Sequence, residues 1–368
     1  TPVVARGAGT GLSGGALPVE GGLLLVLSKL DRILEIDPAR RLARVQPGVT
    51  NLAISEAAQP HRLFYAPDPS SQVACTIGGN VAENSGGVHC LKHGLTVHNL
   101  LELRVLTIDG ELLVLGSETG EAPGLPLLAL LTGSEGMLGV VVEATVRLKP
   151  LPERVELLMV AFDDVRRCAD AVGRIIASGI VPAGLEMMDA PAMRAAEAFA
   201  RCGYPTEADA LLLCELDGLH HDVERDLQAV ETLLRDCGAS SLRVAADAAE
   251  RQRMWSGRKS AFPAVGRLAP DYFCMDGTIP RRHLADVLHR IGELSQAAGL
   301  PVANVFHAGD GNLHPLSLFD AGEPGAVARA EHLGAEILEL CVAVGGTVTG
   351  EHGVGVEKLG PMCTQFGS

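Results

Sequence analysis

The chain has 368 residues, 47% of them hydrophobic, with a mean hydropathy of +0.22, which is enough to bury a large core and to build two domains. A formal net charge of -15 and a pI near 5.2 leave no basic field to attract a phosphate backbone or an anionic lipid layer, so nucleic acid is not an expected partner. Apolar runs such as 23–27 and 125–131 fall far short of the roughly 18 residues of a membrane span, and nine scattered cysteines without a C-x-x-C pair argue for a reducing compartment and against an iron–sulfur cluster.

From residue 2 to about 150, short strands alternate with glycine-rich loops. Strand-forming runs bounded by Gly, Pro or Asp fall at 2–5, 23–28, 41–46, 101–107, 111–115 and 140–148, with one good helix at 51–59. The first strand has nothing before it to pair with, the chain opens on Thr1 rather than Met, and 361–368 stops without a capped element. These features predict a piece of a longer protein, cut at both ends. Pro150 and Pro152 interrupt the pattern and mark a domain boundary.

Beyond it, strands are expected at 155–162, 211–215, 241–246, 272–276, 302–306 and 316–319. Helices are expected at 165–178, capped by Asp163 or Asp164, and at 222–237, 282–298 and 324–345. This order fits an α+β fold in which a sheet is covered on one face by helices. The expected division is 1–150, 151–345, and a return segment 346–368.

Three glycine segments carry the first domain's chemistry. Arg6-Gly7-Ala8-Gly9-Thr10-Gly11-Leu12 follows a strand, and its small residues let consecutive backbone N–H groups converge on an anion such as a pyrophosphate. Gly9, Gly11 and Gly14 satisfy G-x-G-x-x-G, yet residues 16–22 cannot supply the helix that a dinucleotide fold needs, so a loop-only cradle remains. The second segment runs through Pro67, Ser70 and 76–87, the third through 133–139.

In the second domain, His307-Ala-Gly-Asp-Gly-Asn-Leu-His314-Pro315 lies between two strand-like runs. An Asp-Gly hairpin would set the two histidines opposite one another at roughly 5 Å, with Pro315 on an edge or at a strand end. Such a pair is either half of a metal site or two hydrogen-bonded hairpin histidines. Glu351-His352, in a later glycine loop, offers a third ligand and a base.

The order of the three glycine segments resembles the FAD-binding domain of the vanillyl-alcohol oxidase type. That resemblance assigns Arg6, Gly7, Ala8, Gly9, Thr10, Gly11, Leu12, Pro67, Ser70, Gly78, Gly79, Asn80, Asn84, Gly139 and Val140 to FAD. His89, His93 and His98 are the candidates for a covalent flavin link, a solvated or core role being the plainer reading of each. The His307–His314 run and Gly-Glu-His-Gly-Val-Gly resemble the C-terminal region of the FAD-linked D-lactate, D-2-hydroxyglutarate and glycolate dehydrogenases, which implies a cap domain with a largely antiparallel sheet covered by helices. By the same resemblance His307, His314 and Glu351 would bind zinc or a similar divalent metal, His352 would be the base, and Arg258 would clamp the substrate carboxylate. No lysine stands near Cys274 for a second carboxylate, which favours a small monocarboxylate.

The stretches 258–267 and 275–282 are similar to glycolate oxidase FAD-linked subunits in particular. The implied activity is FAD-dependent oxidation of glycolate, or alternatively of D-lactate, in the cytoplasm. Electrons would pass to iron–sulfur and second flavin-type partner subunits, which could hold the chain at the inner face of the membrane. The rival is a non-catalytic FAD-binding relay subunit.

Overall fold

Apolar and charged residues alternate along Leu100–Leu106, so that Leu101, Leu103 and Val105 are buried while Glu102 and Arg104 turn the other way. In the computed structural model, which describes residues 1–120 and 124–367, this strand lies inside the first of two compact units, residues 1–151 with 351–359. The second unit comprises 152–350 and 360–368; Ser368, the end of the expected return segment, lies outside the described residues.

The first unit is built on a five-stranded antiparallel sheet, in the order Ile33–Asp37, Leu42–Val45, Val140–Arg147, Leu100–Leu106, Leu112–Gly116. Its inner face packs Ala43, Val45, Leu103, Val105, Ala144 and Val146 against Ile54 and Ala58 of helix Asn51–Ala58. On the opposite face Arg104 and Glu143, paired across two strands, stand 3.6 Å apart, and Arg44 reaches Glu35 at 3.3 Å. These half-exposed pairs each contribute no more than about 1 kcal/mol and mainly reinforce register. The strand Val3–Arg6 finds its partner downstream, pairing in parallel with Leu23–Val26.

The second glycine segment is not a loop. Residues Ile77–Glu83 form a helix whose first turn is capped by the Thr76 hydroxyl, which accepts from the Gly79 N–H at 3.3 Å. Two adjacent glycines argue against a helix by propensity. Packing overrides that here, because a Cβ on Gly78 would lie 2.7 Å from the Pro47 side chain.

The second unit holds a seven-stranded antiparallel sheet in the order Ser241–Val244, Arg154–Phe162, Ala210–Gly218, Gly184–Asp189, Val302–His307, Asn312–Phe319, Asp271–Cys274. The expectation of helices on one face is wrong. Residues 210–216 of the central strand are all buried, so both faces are covered. One group of helices is Val165–Ala177, His220–Asp236, Leu284–Ala298 and Ala326–Ala343; the other is Ala190–Ala200, Ala248–Lys259 and Ala261–Val265. The strand Gly184–Asp189 and the helices Ala190–Ala200 and Ala248–Lys259 were not expected, nor was the closing helix Leu359–Phe366.

Pro315 also departs from expectation, standing inside a strand flanked on both sides. Its ring nitrogen and its carbonyl face the same neighbour, just past that strand's last paired residue, Cys274; the carbonyl accepts from the Met275 N–H at 3.1 Å. The missing N–H forfeits only the reciprocal bond to the Met275 carbonyl, at the point where the neighbouring strand ends.

Candidate active site

Within the second unit, the site grows from the register of three neighbouring strands. The hairpin pairs His307 with Asn312 and His314 with Val305, so the histidines are diagonal rather than directly opposite as expected. A four-residue turn, 308–311, shifts the register. Being two residues out of step keeps both rings on one face of the sheet, and their centroids lie 5.1 Å apart, edge to face. Gly311 makes the turn possible: its φ is +75°, and a Cβ there would overlap the Ile279 carbonyl oxygen. Both histidines are buried.

Glu186 stands one step beyond the last paired residues of its strand with Val302–His307, which puts it beside His307 on the same face. Its carboxylate lies 2.8 Å from His307 Nδ1 through Oε1 and 2.6 Å from Arg258 Nη2 through Oε2. Arg258 enters from helix Ala248–Lys259, capped by Asp247, and is 1% exposed. Burial alone would raise the Glu186 carboxyl, but the guanidinium and the imidazole beside it override that and hold it below the usual carboxylate range. Arg258 Nε is buried and has no hydrogen-bond partner among the described residues. A buried donor without an acceptor is costly by about 1–3 kcal/mol, so this edge of the guanidinium fits an incoming anion.

Helix Ala248–Lys259 is seated by Trp255, whose indole N–H donates to Glu215 at 2.6 Å, and by Gly257, where a Cβ would meet Cys202 Sγ and lie 2.6 Å from the Tyr204 hydroxyl. At the hairpin's other side the fully buried Asp276 accepts from the Thr349 hydroxyl at 2.8 Å and from the Gly350 N–H at 3.0 Å, with His314 Nε2 at 3.4 Å. Glu186 and Asp276 were not singled out in the sequence. A signal existed for the first: a lone carboxylate inside the apolar run Gly184-Leu-Glu-Met-Met.

In the first unit, Arg6–Leu12 leaves its strand as a loop with no helix, as expected. The backbone N–H groups of residues 7–12 donate to no backbone carbonyl among the described residues. The Arg6 guanidinium folds over the loop, 2.5 Å from where a Gly9 Cβ would stand, and forms no ion pair among the described residues. Orphan donors under an uncompensated cation suit a pyrophosphate. Gly7 packs on the Thr76 hydroxyl, joining this loop to the start of helix Ile77–Glu83.

The other assigned residues of that segment do internal work. Asn51 Nδ2 donates to the Pro67 carbonyl at 2.9 Å and to Asn80 Oδ1 at 3.0 Å. Asn84, with φ of 54°, ends the helix and accepts from the Val97 N–H at 2.9 Å; Ser70 is exposed, and Val140 begins its strand. A Cβ on Gly139 would stand 2.6 Å from Val105. His89 is held by Asp68 at 2.8 Å, His93 packs edge-on against Phe64, and His98 Nδ1 accepts from the Leu95 N–H at 3.0 Å.

The loop 351–355 belongs to this unit. Glu135, itself at φ of 52°, accepts from the Val354 and Gly355 N–H groups at 2.8 and 2.7 Å, and Glu351 Oε2 accepts from the Gly86 N–H at 3.1 Å. Glu135 is a third residue that sequence reasoning passed over, hidden in a segment read for its glycines. His352 is thus carried on a loop tied at both sides to glycine segments.

Both ends of the chain carry a family signature. Residues 1–116 match the FAD binding domain, which makes the protein a flavoprotein with FAD as its cofactor, and residues 151–368 match the C-terminal domain of FAD linked oxidases. The chain belongs to the FAD-linked oxidase family, a class of FAD-dependent oxidoreductases. It is 64% identical over 367 residues to glycolate oxidase subunit GlcD of Escherichia coli strain K12, covering 100% of this chain and 74% of that one. It is 40% identical to the Bacillus subtilis protein of the same name, covering 97% and 76%, and 31% identical to a D-lactate dehydrogenase of Archaeoglobus fulgidus, covering 98% and 79%. Among solved structures, p-cresol methylhydroxylase with substrate bound has a TM-score of 0.82 at 17% identity, over 100% of this chain and 79% of that one, which shows a shared fold. No helix among the described residues is long and apolar enough to cross a membrane.

Proposed function

We propose that the protein oxidises a small 2-hydroxymonocarboxylate, glycolate before D-lactate, as the substrate-oxidising subunit of a larger complex. The observation that carries this reading is the buried Arg258, beside Glu186 on the same sheet face as the His307–His314 pair, whose Nε–H has no hydrogen-bond partner among the described residues. A guanidinium edge offers a carboxylate the paired geometry that an ammonium cannot.

Arg258 anchors the carboxylate and so fixes where the 2-carbon lies. His352 takes the hydroxyl proton as general base. His307, His314 and Glu351 would hold a divalent cation, whose Lewis acidity would lower the pKa of the 2-hydroxyl. Arg6 through Leu12, Gly78, Gly79 and the 133–139 segment would hold the FAD, which supplies the two-electron acceptor. The names of the 64% and 40% identical relatives, each a glycolate oxidase subunit, support glycolate and a multi-subunit setting. Electrons would leave through an iron–sulfur partner subunit.

Anaerobic mixing of the FAD-loaded protein with glycolate and, separately, D-lactate tests the reading. Bleaching of the flavin absorbance by glycolate at the higher kcat/KM is expected. Faster reduction by D-lactate would reassign the substrate, and no bleaching by either would leave a relay subunit.

A further inference from the structure

We propose that Glu186 is the positioning residue of the metal centre: it fixes the tautomer of His307, so that Nε2 is the nitrogen left to ligate a divalent cation. The inference rests on the reading of His307 as a metal ligand. It adds a residue to that reading, and the reason is in the hydrogen bonds.

His307 Nδ1 has two neighbours that make opposite demands. Glu186 Oε1, at 2.8 Å, can only accept, and Arg258 Nη2, at 3.5 Å, can only donate. The shorter contact decides. A lone pair on Nδ1 facing a carboxylate at 2.8 Å inside the protein would be repulsive and would leave that oxygen unsatisfied, whereas an Nδ1–H there makes a strong charge-assisted bond. The contact to Arg258 lies at the outer limit of hydrogen bonding, and the same nitrogen stands closer, at 2.6 Å, to the opposite charge of Glu186 Oε2. The proton therefore sits on Nδ1, and Nε2 carries the lone pair. Histidines that ligate metals are commonly oriented in this way by a carboxylate behind them. Here the carboxylate has a second duty, because it also neutralises the fully buried guanidinium.

This double duty makes the consequence of Glu186→Gln specific. The amide oxygen must turn to the guanidinium, since the amide NH2 cannot face it, and the NH2 then points at His307 Nδ1. Nδ1 must accept, the proton moves to Nε2, and ligation is blocked. Removing the guanidinium as well, in Glu186→Gln/Arg258→Met, lets the amide oxygen turn back to Nδ1–H. The charge-neutral control Glu186→Leu/Arg258→Met keeps the cavity filled and leaves Nδ1 no acceptor.

The test is Co²⁺ affinity of the FAD-loaded protein, read from the ligand-field absorption in chelator competition and checked by metal analysis; FAD occupancy and melting curves confirm folding. Glu186→Gln and Glu186→Leu/Arg258→Met should bind Co²⁺ about 10–100-fold more weakly, and Glu186→Gln/Arg258→Met should return to within a few-fold of the parent. Equal affinity in the two double variants would overturn the proposal even if the single variant does not fold. If instead the parent shows no Co²⁺ binding that His314→Ala abolishes, the metal reading itself fails, and Glu186 loses this role with it.

Discussion

Arg258 is a cation kept 1% exposed, and only the geometry around it makes that tolerable. Its charge is matched by Glu186, which leaves one edge of the fork for a ligand. Arg258→Lys retains the charge but loses the fork, so glycolate kcat/KM should fall about 10–100-fold, the worth of one or two charge-assisted hydrogen bonds, with most of the loss in KM. A change confined to kcat would argue against a carboxylate clamp. His352 makes a different prediction. Replacing it with Ala should lower the rate of flavin reduction by about 10²–10⁴-fold while glycolate still perturbs the flavin spectrum on binding; unaltered reduction kinetics would remove it as the base. The pattern Gly-Glu-His-Gly pointed to this residue, but nothing in the sequence pointed to Glu135, which ties down the backbone two and three residues further on.

At the scale of elements, helix Ala248–Lys259 matters because it delivers Arg258, and its seat is Gly257. Gly257→Ala would press a methyl group into Cys202 and Tyr204, and overpacking of that kind destabilises by about 1–3 kcal/mol. A lowered denaturation midpoint together with weakened glycolate binding is expected; a stabilised protein would mean that the helix has room to shift. A pH effect belongs to the next strand. Asp189 caps helix Ala190–Ala200 and accepts from the Asn304 N–H and side-chain amide at 3.0 and 2.7 Å, yet desolvation pushes its carboxyl up to about 6. The folded state therefore holds a proton that the unfolded chain has already lost at its ordinary pKa of 3.8. This contribution to stability is present below that value and is lost as pH rises toward 6, with a slope of up to about 1.4 kcal/mol per pH unit. Urea titrations of Asp189→Asn should lack that slope between pH 4 and 6. The strands of this region were legible where alternation or β-branching was strong. The strand Gly184–Asp189 was not, because burial on both faces erases the two-residue period that marks a strand.

For the whole molecule, FAD binds the folded chain through groups that the unfolded chain does not assemble. Saturation at 100 times Kd should stabilise the protein by about 2.7 kcal/mol, seen as a melting temperature that climbs with FAD concentration. Arg6→Ala should flatten that climb; a melting temperature indifferent to FAD would contradict the cradle. The sequence by itself determined the class of the two units, the glycine loop without a helix, and the residue types of the site, because turn glycines, caps and the spacing of histidines are local properties written into consecutive residues. The tertiary structure decided which carboxylate meets which cation. Glu186, Arg258 and His307 are 49 to 121 residues apart and are joined only by strand register and a helix crossing the sheet, and no local pattern encodes a pairing that depends on how distant segments come together.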